Sequence, residues 1–278
     1  MKRWEILQGD VRETLRALET GSVQTCVTSP PYFGLRDYGV SGQIGLESTP
    51  DAYVAELVAV FREVRRVLRD DGTLWLNLGD SYTGSDSTGG TGKETDYTGK
   101  RSLPNKRAEG LKPKDLIGIP WRVAFALQAD GWYLRQDVIW HKPNPMPESV
   151  RDRCTKAHEY MFLLSKSELY FFNSEAMKEK AAGVRGGAPK KIHSESAQGK
   201  HGATSALNKS WDGAETRNRR SVWTVATRPY KGAHFATFTP ALIEPCILAG
   251  APFNGLGCFL LLTMRYVRRL LRVLLKSL

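Results

Sequence analysis

The sequence predicts an α/β protein whose sheet is covered by helices on both faces. Short apolar strands alternate with amphipathic helical stretches, the pattern of a sheet packed on two sides. The chain has 278 residues, 41% of them apolar, enough to bury a sizeable core as one large domain or as a domain carrying an insertion. It contains no internal repeat.

The elements follow in order. Residues 4–8 (WEILQ) read as a strand ending at Gly9-Asp10, and Val11, Leu15 and Leu18 continue at helical spacing. Residues 23–28 (VQTCVT) form a second strand, stopped by Ser29-Pro30-Pro31 because proline cannot donate to a ladder. A Tyr- and Gly-rich loop precedes a helix over 51–69, with Val54, Leu57, Val58, Phe61, Val64 and Leu68 on one face. Asp70-Asp71-Gly72 ends that helix, and TLWLNLG is a third strand. Residues 83–110 are polar and Gly-rich and read as a loop. A helix over 119–129 and strands over 133–140 and 159–165 restore the alternation, which is lost again in the basic, Gly- and Ser-rich stretch 173–222.

The net charge of +11 is concentrated in two places. Residues 173–231 hold 12 Lys and Arg against 5 Asp and Glu, and residues 259–278 hold 5 against none. The remainder is close to neutral, so the internal segment predicts a surface that meets a polyanion, with a solvated basic loop as the alternative. No basic flank followed by an apolar run opens the chain, which predicts a cytoplasmic protein. Cys26, Cys154, Cys246 and Cys258 form no C-x-x-C pair and read as buried free thiols, so no metal is expected.

The sharpest chemical feature is Thr28-Ser29-Pro30-Pro31-Tyr32 at the carboxyl end of a strand, where open α/β sheets place their ligands. The amino nitrogen of a nucleobase is a poor nucleophile because its lone pair is delocalised into the ring. Acceptors aimed at its N–H groups draw that pair out of conjugation. A rigid Pro-Pro turn can fix the Pro30 carbonyl, Ser29 Oγ offers a second acceptor, and the Tyr32 ring can stack on an extruded base.

TSPPY resembles the catalytic motif of the amino-methyltransferases that modify cytosine N4 or adenine N6 in DNA. The resemblance extends in order through ILQGDVRETLRAL, PYFGLRDYG, LRDDGTLWLNLGDSY, IWHKPNPMPESVRDRCTKAHEYMFLLSKS and KGAHFATFTPALIEPCILAG, covering residues 4–82, 117–172 and 221–250. Catalytic motif first and cofactor loop last is similar to the permuted β arrangement of the family. The implied fold is a Rossmann-like S-adenosylmethionine-dependent methyltransferase sheet in circularly permuted order. Residues 1–172 would be its catalytic half, 173–222 a target-recognition insertion and 223–257 the return with the cofactor-side block.

The resemblance also implies roles. Ser29 to Tyr32 hold the target base. Asp10 accepts from the cofactor adenine, its alternative being the N-cap of the next helix. Thr28, His234, Phe235 and Phe238 help enclose the cofactor, with helix entry as the other reading of His234. Lys190, Lys191, Arg217, Arg219 and Arg220 are the candidate DNA contacts. Ser at position 29, where adenine enzymes more often carry Asp or Asn, favours cytosine N4. Partners would be double-stranded DNA and a cognate restriction endonuclease, with no membrane. A degenerate DNA-binding remnant is the alternative reading, and methylation of RNA or protein fits the basic insertion less well.

Three signals are set aside. Pro245-Cys246 matches the nucleophile dipeptide of cytosine-C5 enzymes but lies within the apolar pattern of ALIEPCILAG, where the cysteine reads as buried. Gly92-Lys93 lacks the first glycine and the final Ser or Thr of a phosphate loop. His141, within Trp140-His141-Lys142, reads equally as structural or as DNA-facing.

The resemblance breaks after Gly250. The family has a spacer, a strand ending Asp-Pro-Phe and a Gly-x-Gly-Thr loop there, whereas this chain runs into Ala251-Pro252-Phe253-Asn254-Gly255-Leu256-Gly257. Phe253, Gly255 and Gly257 keep the spelling of a cofactor turn, but no strand precedes them, and residues 258–278 contain no Asp or Glu for the ribose. The expectation is a sheet incomplete at its cofactor-loop end, with 258–278 a divergent basic amphipathic tail arising from a frameshift or truncation.

Overall fold

The central strand β2 (Val23–Thr28) is buried at all six positions, and the rest of the molecule is arranged around it. In the computed structural model, the described residues are 4–7, 9–35, 37, 39, 41–84, 110–181, 215–228, 239–252, 258–262 and 270–274; at 4–6, 258–262 and 270–274 only the backbone is described. One neighbour of β2 is β3 (Leu68–Leu78) and the other is β9 (Cys258–Leu262), both parallel to it. With β1 (Trp4–Leu7), β4 (Tyr133–His141), β5 (His158–Ser165), β8 (Val222–Thr224) and β10 (Leu270–Leu274), they make an eight-stranded sheet of order β1-β10-β9-β2-β3-β5-β4-β8.

Side chains alternate across this sheet, as the two-residue period of a strand requires. Leu74, Leu76 and Leu78 of β3, with Phe162 and Leu164 of β5, pack under α1 (Val11–Arg16), α2 (Pro50–Val67) and α3 (Ile119–Ala129). Trp75, Met161 and Leu163 point the other way, into a second core with Leu242, Cys246 and Ala249 of α4 (Pro240–Gly250). The sheet is therefore covered on both faces.

The helix over 119–129 and the strands near 133–140 and 159–165 stand where the sequence places them. The junction near residue 70 differs. Helix α2 begins at Pro50 behind the Thr49 cap, whose hydroxyl accepts from the Ala52 amide at 3.1 Å. It ends at Val67, and Leu68 is already extended and opens β3. Asp70-Asp71-Gly72 is thus no helix terminator. The β2–β3 register jumps from Val23–Leu68 to Thr25–Thr73, so these residues form a bulge within the strand.

Residues 258–262 and 270–274 also depart from expectation. Both are strands: β9 lies parallel to β2, and β10 returns antiparallel between β9 and β1. CFLLL is apolar throughout and LLRVL is broken only by Arg272, and the β9 pairing supplies the second ladder that the central strand β2 needs. Of the thiols, Cys26 and Cys246 are buried as expected, whereas Cys154 is exposed because it sits among charged residues between β4 and β5. The Cys258 side chain, like residues 85–109, lies outside the described residues. Two short strands, β6 (Lys178–Lys180) and β7 (Thr216–Asn218), pair antiparallel within the basic segment. Among the described residues, no helix is long and apolar enough to cross a membrane.

The contact of α4 with β2 is tight at Gly250, where an added Cβ would stand 2.5 Å from Thr25 Oγ1 and 2.7 Å from Thr25 Cβ. Thr25 cannot yield, being fully buried and hydrogen-bonded to Thr73. Gly250→Ala is expected to cost about 1–3 kcal/mol of stability in urea unfolding; an unchanged midpoint would show that α4 can move away from the sheet at no cost.

Candidate active site

Proline at 30 and 31 ends β2, and the chain must then find non-ladder partners for its polar groups. Tyr53 on α2 supplies one: its buried hydroxyl donates to the Pro31 carbonyl at 2.7 Å. The Gly34 amide donates to the Gly45 carbonyl at 2.8 Å, closing the loop that follows. Gly45 holds a φ of +103°, and a Cβ there would come within 3.0 Å of the Tyr32 carbonyl. Ser29 is 5% exposed and Thr28 fully buried, while Tyr32 is half-buried. Its ring lies against the end of β3, where a Cβ on Gly79 would stand 2.6 Å from Tyr32 Cε2.

A polar cluster stands behind the turn. Tyr32 Oη donates to Glu159 Oε2 at 2.6 Å and lies 3.2 Å from Asn77 Oδ1, and Ser29 Oγ is 3.4 Å from Tyr32 Oη. Asn77 Nδ2 donates to Glu159 Oε2 at 3.2 Å and to the Tyr160 carbonyl at 3.0 Å. Lys142 pairs with Glu159 Oε1 and sits 4.4 Å over the Trp140 ring. Burial pushes the Lys156 amine below its usual range, against the opposing pull of Asp80, Glu159 and Glu148. Burial and the neighbouring Lys156 likewise lower the His158 imidazole.

Topology explains why these groups meet. β5 runs antiparallel to both β3 and β4, so His141 at the end of β4 faces His158 at the start of β5, on the same sheet edge as Ser29. Sequence reasoning passed over Asn77, Glu159 and Lys156. A signal existed for Asn77, an amide 2% exposed within an apolar strand pattern, since a buried polar side chain requires partners. Asp80, also at this edge, accepts from the amides of Ser81, Gly118 and Ile119 and so caps the entry to α3. His141 Nδ1 is 3.2 Å from Thr224 Oγ1, a structural link between β4 and β8.

Asp10 lies on the same edge, because β1 runs in the direction of β2. It is the N-cap of α1, accepting from the Arg12 amide at 2.8 Å. Both carboxylate oxygens also take the Arg12 guanidinium, at 2.9 and 2.7 Å, and these bonds hold the carboxyl below its ordinary range. Arg12 in turn reaches Glu56 at 2.7 Å and the Gly42 carbonyl at 3.2 Å, on the wall of an open cleft of about 580 Å³. Within that cleft, burial raises the Glu47 carboxyl.

His234, Phe235, Phe238, Phe253, Gly255 and Gly257 lie outside the described residues, as do Lys190 and Lys191. The register from Thr25–Phe259 to Thr28–Leu262 puts the start of β9 beside the start of β2, at the edge away from Ser29. In the basic segment, Glu179 Oε1 receives both Arg217 Nε, at 2.9 Å, and Arg220 Nε, at 2.8 Å. Arg219 lies 4.3 Å over the Trp223 ring, whose Nε1 donates to the Arg220 carbonyl at 2.8 Å. The three arginines thus gather beside the outer strand β8, with one carboxylate between two of them.

Known proteins match this arrangement. The chain is 46% identical over 260 residues to the type II methyltransferase M.Cfr9I of Citrobacter freundii, covering 91% of this chain and 77% of that protein. It is 47% identical over 268 residues to the type II methyltransferase M.SmaI of Serratia marcescens, covering 92% and 81%. The structure of PvuII DNA methyltransferase (cytosine-N4-specific) is similar in fold, with a TM-score of 0.54 at 16% identity over 88% of this chain and 70% of that one. The DNA methylase model of the N6/N4 methyltransferases matches residues 23–256, and with relatives nearly half identical along nine-tenths of its length, the chain belongs to this family of S-adenosylmethionine-dependent DNA methyltransferases.

Proposed function

We propose that this chain methylates the N4 amino group of a cytosine flipped out of double-stranded DNA, as the modifying partner of a restriction endonuclease acting on the same site in the cytoplasm. The observation that carries the reading is the Ser29–Tyr32 turn, pinned by Tyr53 on one side and by Glu159 and Gly79 on the other. Bound S-adenosylmethionine supplies an electrophilic methyl group. The chain's own part is to present acceptors to the amino N–H groups, Ser29 Oγ and the Pro30 carbonyl, and to stack the base on Tyr32. Ser29 favours cytosine N4 over adenine N6. Duplex contact falls to Arg217, Arg219 and Arg220, together with Lys190 and Lys191.

On the cofactor side, Asp10 stands at the proper edge, and its carboxylate lone pairs can accept from an adenine amino group while Arg12 holds it in place. His234, Phe235 and Phe238 would enclose the methionine end. The second reading, an impaired enzyme that still binds DNA, rests on the tail. Phe253, Gly255 and Gly257 lead into a strand that begins at the edge away from Ser29, whereas a cofactor turn belongs at the carboxyl ends of the strands.

Three measurements test these readings. Labelled methyl transfer to unmethylated genomic DNA, followed by nucleoside analysis, is expected to yield N4-methylcytosine, and Tyr32→Ala is expected to abolish it; N6-methyladenine, or more than a tenth of the rate in Tyr32→Ala, rejects the assignment. Changing Arg217, Arg219 and Arg220 together to Ala should flatten the log affinity against log salt plot by roughly one unit for each phosphate that is no longer neutralised; an unchanged slope means that the basic segment is only a solvated loop. Calorimetric titration should show S-adenosylmethionine bound at least about tenfold more weakly than by a relative with an intact cofactor loop, the cost of losing ribose bonds to a charged acceptor; equal affinity would mean that the tail rebuilds the site.

A further inference from the structure

Glu159 lies 127 positions from Tyr32 in the chain, yet it accepts a hydrogen bond of 2.6 Å from Tyr32 Oη. Its other oxygen carries Lys142, and Asn77 donates to it as well, so three donors converge on one half-buried carboxylate. This convergence fixes the direction of the protons. Two acceptors face Tyr32 Oη, Glu159 Oε2 at 2.6 Å and Asn77 Oδ1 at 3.2 Å, and the nearer, charged one takes its single proton, since a carboxylate paired with an ammonium accepts and does not donate. The phenol oxygen is then left as an acceptor. The hydroxyl facing it at 3.4 Å is Ser29, which therefore supplies the proton of that contact.

We infer that Glu159, backed by Lys142 and Asn77, is a positioning residue that sets the hydrogen-bond polarity of the Ser29–Tyr32 pair, so that Ser29 Oγ meets the target base with lone pairs alone. This rests on the reading of Ser29–Tyr32 as the base-holding turn and adds to it a basis for choosing an amino group. Against an N–H, a lone pair makes a bond. Against a carbonyl oxygen at the same place on a uracil-like edge, it meets another lone pair, and the buried acceptor is left unsatisfied. Without Glu159 the Tyr32 proton is divided between Asn77 Oδ1, at 3.2 Å, and Ser29 Oγ, at 3.4 Å, and whenever it turns to Ser29 that residue's own proton points at the base.

Two conservative variants test it: Tyr32→Phe, which removes one oxygen and keeps the ring, and Glu159→Gln, which keeps the shape and can donate to Tyr32 in place of accepting. Both are compared with the unmodified chain for single-turnover methylation of unmethylated genomic DNA, at saturating labelled S-adenosylmethionine and long incubation, and for DNA affinity. Each is expected to slow transfer by about tenfold or more, the usual effect of losing one oriented polar group, with DNA affinity unchanged within about twofold. The effect should vanish in a Ser29→Ala background, because Glu159 acts through Ser29; a merely structural role would lower the rate by the same factor with or without that hydroxyl. Tyr32→Phe above half the original rate, or an undiminished Glu159→Gln effect in Ser29→Ala, overturns the inference. If Tyr32→Phe is fully active while Tyr32→Ala is dead, base stacking stands and only the polarity argument falls; if Tyr32→Ala is active, the stacking reading itself falls.

Discussion

The structure depends on the way a fully buried central strand is brought to a stop. Strand β2 has neighbours on both sides and helices over both faces, so its carboxyl end emerges where backbone groups have little water to turn to. Pro30 and Pro31 cannot extend the ladder. The exit is held instead by groups from elsewhere: Tyr53 from α2 on the Pro31 carbonyl, and the Gly79 backbone against the Tyr32 ring. An unsatisfied buried carbonyl costs roughly 1–3 kcal/mol, so the Tyr53 bond ties the packing of α2 directly to the placement of the turn. The second anchor restricts composition in the same way, since any side chain at Gly79 would occupy the space of the ring.

Around that exit, charge is arranged in pairs. Glu159 faces Lys142, Asp80 is taken up by three backbone amides at the entry to α3, and Asp10 is gripped by Arg12. Charges removed from water need such partners. Lys156 shows the opposite tendency, its ammonium disfavoured by burial although carboxylates lie near it. The outcome is a polar edge whose charged groups are held by hydrogen bonds and ion pairs.

Much of this was legible in the sequence, and the exceptions have a common cause. TSPPY announced the position of the turn because strand, proline pair and aromatic lie within five residues, and α3 stands at the predicted 119–129 for the same local reason. Glu159 and Lys142 could not be read in this way. They join the site only because β5 runs antiparallel to β3 and β4, and register between strands distant in sequence is set by tertiary packing rather than by local pattern. Arg217 and Arg220 were visible as cations, but Glu179 between them was not, since the β6–β7 pairing joins segments almost forty residues apart. At Asp70-Asp71-Gly72 the turn-forming composition marks a true break but does not say in which element, because a bulge and a helix end use the same residues.

The tail makes the deepest separation between what a fold requires and what a reaction requires. A central strand needs a neighbour with free amides and carbonyls, and almost any short apolar run can meet that demand, because the ladder is made by the backbone. Residues 258–262 meet it, although the family match stops at residue 256. A cofactor turn demands more: a strand that runs into it, glycines at set places, and an acidic group beyond. Residues 258–262 complete the hydrogen bonding of β2 along the register Thr25–Phe259 to Thr28–Leu262, a demand that the backbone alone satisfies. The sheet is satisfied by pairing alone, while the chemistry depends on which end of the strand the pairing leaves next to the turn.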